Sequence, residues 1–185
     1  SGSKPTEAKL QLEKLNEPKY PDNDVFRMSL YFSSGLKYEW NLLVKPGSYE
    51  DGGGLWIIRH DRGNVQNSLR QYIPVEEGQQ PGYVLAHPNL FCGDANLRWN
   101  SSTKFTNIDS SEGTSTHDMT FSESTEVLSK DEETGKELKL EQVSFTEELV
   151  EDQRKETNSW IFIRNQGLVE FSLFFGENKY IFKRK

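Results

Sequence analysis

Cysteine is almost missing from this chain. Cys92 stands alone among 185 residues. No intramolecular disulfide can form, and an intracellular, reducing compartment is expected over secretion. An excess of basic residues is also missing: 22 Lys+Arg face 29 Asp+Glu, a formal net charge of -7. Nucleic acid is therefore not an expected partner, since phosphate contacts need clustered cations, and anionic membranes are disfavoured for the same reason. No apolar run approaches the ~20 residues of a membrane-spanning helix. No signal peptide is readable, although Ser1-Gly2-Ser3 resembles a cloning scar and leaves open a targeting segment removed earlier.

Helical periodicity is scarce. Only residues 4 to 17 carry it, with Ala8, Leu12 and Leu15 at i, i+4 and i+7, and Pro18 and Pro21 closing the segment. Residues 1–21 therefore read as an N-terminal arm or short helix, ahead of one domain over 22–185. Metal-ligand spacing is absent, because His60, His87 and His117 lie on three separate segments, and neither a metal nor a cofactor is expected. Gly52-Gly53-Gly54 lacks the Lys-Ser/Thr of a phosphate-binding loop and runs into a strand pattern.

What the chain has is alternation. Phe26, Met28, Leu30 and Phe32 share one face, and after the Ser33-Ser34-Gly35 break so do Leu36, Tyr38, Trp40, Leu42 and Val44. Two alternating runs across a short glycine-containing break predict a hairpin. Further strands are expected over 55–60, 69–74, 83–86, 96–100, 104–108, 117–125 and 138–150, with a long Ser/Thr/Asn-rich loop over 101–113. The last quarter is the most apolar. Three runs, Trp160 to Ile163, Leu168 to Phe175 and Tyr180 to Phe182, are divided by Asn165-Gln166-Gly167 and Gly176-Glu177-Asn178, and both breaks carry hairpin chemistry. Short turns between strands and little helix predict an all-β fold: an antiparallel up-and-down β-barrel, with a β-sandwich as the alternative.

Gly54-Leu55-Trp56 resembles the G-x-W signature of lipocalins, which opens the first barrel strand of that family. The family's disulfide and T-D-Y motif have no counterpart here, and the resemblance covers Gly54 onward. It implies a calycin-like barrel that holds a small apolar ligand, with Lys183 or Arg184 packing on the tryptophan.

Alternation places His60 with Trp56 and Ile58, and His117 with Met119 and Phe121. Inward-facing, these side chains line a cavity; outward-facing, the histidines are ordinary strand-end residues. Imidazole titrates near neutrality and can serve as a general base. Arg164, on the face of Trp160 and Phe162, can stack on a ring and bind a carboxylate. Trp56, Ile58, His60, His117 and Arg164 are the ligand-binding candidates. Cys92 reads as a small buried hydrophobe, since no neighbouring cation would activate its thiol. The expected function is binding of a small, largely apolar ligand, acidic if Arg164 takes part. The alternatives are a barrel-based isomerase, cyclase or chromophore lyase, and an assembly protein that binds another protein through a sheet face. Small closed barrels can enclose one such ligand.

Overall fold

β-branched and aromatic residues at every second position bury one face of a strand and wet the other, and β7 (Arg98–Thr106) and the first half of β8 (Glu112–Lys130) show that alternation plainly. The computed structural model describes residues 8–32, 37–61, 69–73, 77, 81–106, 110–131, 134–151, 154–175 and 178–183, with 8, 60, 61, 69–71, 73, 154, 174, 175 and 178 described by backbone only. Twelve strands account for most of them. There is no helix among the described residues, and so none long and apolar enough to cross a membrane. The chain divides into two compact units.

The first unit comprises residues up to 88 together with 101–116. It holds β1 (Ala8–Leu15), β2 (Asp24–Phe32), β3 (Lys37–Lys45), β4 (Gly54–Asp61), β5 (Leu69–Ile73), β6 (Tyr83–Ala86) and most of β7 (Arg98–Thr106). The strands pair antiparallel in the order β1-β2-β3-β4-β5-β7, with β6 also on β4. Met28, Leu30, Trp40, Leu42, Ile57, Leu85 and Phe105 are buried. The second unit comprises 89–100 and 117–185. Here the greater part of β8 (Glu112–Lys130) is followed by β9 (Glu137–Glu151), β10 (Arg154–Ile163), β11 (Gly167–Phe175) and β12 (Asn178–Lys183). β9 to β12 form an antiparallel meander. Its register sets Phe145, Trp160, Phe171 and Phe182 side by side across four strands. Neighbouring rings stack at 5.4 Å (Trp160–Phe171) and 5.1 Å (Phe171–Phe182), and all four are buried.

The all-β expectation holds, and so does the chemistry of the first turn of the meander, where Asn165 and Gly167 adopt φ of 66° and 76°. The second turn, at 176–177, and the one at 33–36 lie outside the described residues.

Three expectations are corrected. The segment read as a helix forms β1, pairing with β2 over eight residue pairs from Ala8↔Phe32 to Leu15↔Val25. A helix this short is marginal in water, and Ala8, Leu10 and Leu12 satisfy a period of two as well as Ala8, Leu12 and Leu15 satisfy the helical one. The unpaired edge of β2 decides between them. The long loop expected at 101–113 is mostly strand: β7 continues to Thr106 and β8 begins at Glu112. Within it Thr103 and Phe105 are buried and alternate with the more exposed Ser102, Lys104 and Thr106. Cys92 is exposed, in a turn closed by its own N–H donating to Asn89 O.

Candidate functional site

The second unit contains a charged group inside an aromatic core. β9 presents Val143, Phe145 and Glu147 on one face, and all three are buried, Glu147 to 1% exposure. β10 sets Asn158 opposite Glu147 and Trp160 opposite Phe145. β8 contributes His117, on the same buried face as Met119 and Phe121. These elements converge on the Glu147 carboxylate. His117 Nδ1 lies 2.7 Å from Oε1, while Trp160 Nε1 and Asn158 Nδ2 donate to Oε2 at 3.0 and 3.2 Å.

Burial alone would push the Glu147 carboxyl up. Hydrogen bonding from His117, the charge of that ring, and the donors of Trp160 and Asn158 outweigh it, so the carboxyl is held below its ordinary range. An ionised carboxylate only accepts hydrogen bonds, which makes Nδ1 the protonated nitrogen facing it. Glu147 thus fixes the orientation of His117, as a carboxylate does for a catalytic or ligand-gripping imidazole. Asn158 Oδ1 is buried with no hydrogen-bond partner among the described residues. Its amide cannot simply be turned over, because Nδ2 is needed by the carboxylate. An orphaned buried acceptor costs ~1–3 kcal/mol.

The other predicted residues lie elsewhere. Trp56 and Ile58, half-buried on β4, belong to the first unit. Trp56 Nε1 donates to Gly52 O at 3.0 Å, and Lys45 Nζ sits 5.8 Å from its ring centre. The glycine loop therefore folds onto the tryptophan. It is tied by Gly53 N–H to Ser48 O at 2.7 Å and Gly52 N–H to Tyr49 O at 2.9 Å. A register shift between β3 and β4 pairs Asn41 with Arg59 but Leu42 with Ile57. That bulge interrupts the row expected to hold Trp56, Ile58 and His60. The His60 side chain lies outside the described residues. His87, also in the first unit, packs against Tyr49 at 4.6 Å, and its own ring is pushed down in pKa by burial.

Arg164 follows β10 and is exposed. Its guanidinium binds Glu141 through Nη2 at 2.6 Å and Nε at 3.1 Å, donates to Phe91 O, and stacks 5.0 Å from the Phe91 ring centre. The ring it stacks on is Phe91, not Trp160 or Phe162 of the face alternation assigns it to, and the carboxylate it holds is the protein's own. Glu141 and Glu147 are six residues apart on one strand, ~20 Å at 3.3 Å per residue. Arg164 and His117 are consequently anchored at well-separated points.

Glu147, Asn158 and Trp160 were not among the predicted site residues. One signal was present: a glutamate in register with Val143 and Phe145 on an apolar strand face. No group of three or more His, Cys, Asp or Glu suited to a metal ion occurs among the described residues. No family model, curated protein or solved structure matches the chain.

Proposed function

We propose that this protein binds a small, largely apolar ligand through the aromatic face of its second unit, on a calycin-like antiparallel scaffold. Glu147 and Asn158 take the polar end of the ligand. Support for the scaffold comes from the pairing of strands consecutive in sequence, as an up-and-down arrangement requires. The observation that carries the binding role is the unpartnered Asn158 Oδ1 beside an ionised, buried carboxylate in a row of aromatic rings. Such a cluster is costly in a core built only for stability, and perturbed, desolvated groups concentrate at functional sites. The ligand it fits has an apolar body and a hydrogen-bond donor. An acidic ligand fits less well, since Arg164 is committed to Glu141 and the buried charge is negative.

Two measurements test this. Native mass spectrometry of freshly purified protein should retain a small apolar molecule. N-phenyl-1-naphthylamine, an apolar probe with one N–H donor, should bind saturably with energy transfer from tryptophan, and Asn158→Leu should weaken it about tenfold. Non-saturating probe binding together with an empty mass spectrum rejects the proposal, as does equal affinity in a folded Asn158→Leu.

A second reading, a barrel-based enzyme, is favoured by one feature: the carboxylate-oriented His117 imidazole, an arrangement suited to proton transfer. Turnover of a retained ligand that falls in His117→Gln while binding persists separates it from simple binding.

A further inference from the structure

The outer face of the first unit carries a cationic row unrelated to the buried cluster. Register places Arg27 on β2 opposite Asn41 on β3, and Asn41 opposite Arg59 on β4. Neighbouring strands lie ~4.8 Å apart, so the two arginines flank the asparagine at a Cα separation of ~10 Å. Guanidinium groups on such stems can converge on one atom group between them. Together with Glu39, the three line a cleft of about 120 Å³. Asn41 is buried.

The charges in this row are poorly matched. Among the described residues Arg27 has two distant ion pairs, each at 3.9 Å, to Glu13 and Glu39. Arg59 has no ion pair or hydrogen bond among the described residues. Glu39, the one carboxylate lining the cleft among the described residues, is taken by Lys37 Nζ at 2.8 Å and Ser29 Oγ at 3.0 Å, both on Oε1. Two under-used guanidiniums around a buried amide are therefore left in a chain whose net charge is -7. Diffuse electrostatics cannot account for anion attraction in such a protein; a local constellation of donors can.

We propose that Arg27, Asn41 and Arg59 form a binding site for a small oxyanion, a carboxylate or phosphate group. The planar forks of the two arginines grip its oxygens from either side, and the Asn41 amide donates from the floor. The bulge between β3 and β4 adjoins Arg59, a common position for a device that re-aims a side chain. The site is independent of the ligand proposed for the second unit.

Titrations followed through the arginine Nε–Hε resonances test it, first with inorganic phosphate and then with acetate, at constant ionic strength. Saturable shifts of Arg27 and Arg59 are expected, weakened about tenfold in Arg59→Gln and in Arg27→Gln and unchanged in Lys139→Gln, which removes a cation from the second unit. Saturation by phosphate alone identifies a tetrahedral group; saturation by acetate alone, or by both, identifies a carboxylate or a general oxyanion site. Linear shifts with both anions overturn the proposal. So does an affinity that survives both arginine substitutions, or one that falls equally in Lys139→Gln.

Discussion

Glu147 is the residue on which the second unit's polar core depends. Removing one member of a buried ionic cluster leaves the others unpaired, which costs about 3–5 kcal/mol. Glu147→Gln keeps the size but cannot accept from three donors at once, and urea denaturation at neutral pH should show a loss in that range. Acid should act through the same group. Its folded carboxyl is held below the ordinary range, so its stabilisation is complete above the unfolded value of ~4.3 and is lost as pH falls through the lower folded value. Urea midpoints measured from pH 7 downward should fall below about pH 4.3 in the wild type, with a shallower fall in Glu147→Gln; identical slopes would remove Glu147 from the account. Phe171 tests the aromatic row. The ring is 1% exposed, and Phe171→Ala should cost about 3–5 kcal/mol. A loss under ~1 kcal/mol would mean the row is not the core. Glu147 was visible in the sequence as a charge on an apolar face. Its partnership with His117 was not, because the two lie thirty positions apart and meet only through strand pairing.

At the level of elements, β1 and the glycine loop carry the clearest consequences. β1 covers one edge of β2 along its length, with Lys14 and Asp24 paired at 2.5 Å. A chain lacking residues 8–15 should lose amide protection in β2 by about tenfold or more; unchanged hydrogen exchange there would show that the edge needs no cover. Period-two and helical templates both fitted this stretch, and the choice was tertiary. The glycine loop is decided by close approach. A Cβ on Gly53 would lie 2.2 Å from the Gly47 carbonyl oxygen, so Gly53→Ala must displace the loop, at a cost of about 1–3 kcal/mol. The Trp56 indole N–H resonance should shift as its bond to Gly52 O is lost, and an unmoved resonance would show that the loop absorbs the methyl group. Alternation located β2, β3 and the strands of the closing meander but not every face: Val44, read on the buried row of β3, is 40% exposed, whereas Leu43 and Ser172 are buried. It failed at β4, where one extra residue between Ile57 and Arg59 changes the phase of the row.

Over the whole chain, charge sets behaviour. With a net charge of -7 and an isoelectric point near 5.1, solubility should pass through a minimum close to pH 5, where self-repulsion vanishes. Light scattering across pH 4–7 checks this, and a minimum displaced by a full unit would show that charges are masked in the fold. The sequence by itself determined the all-β class, the meander and its first turn. All of these follow from composition or from contacts between neighbours in the chain, which a period of two records directly. Tertiary structure alone decided the rest. It made a strand of the N-terminal segment, brought Glu147, His117, Asn158 and Trp160 to one point, gave Arg164 to Glu141, and lined Arg27 up with Asn41 and Arg59. Each depends on which strands pair and in what register. That is a property of residues distant in sequence, and no local pattern encodes it.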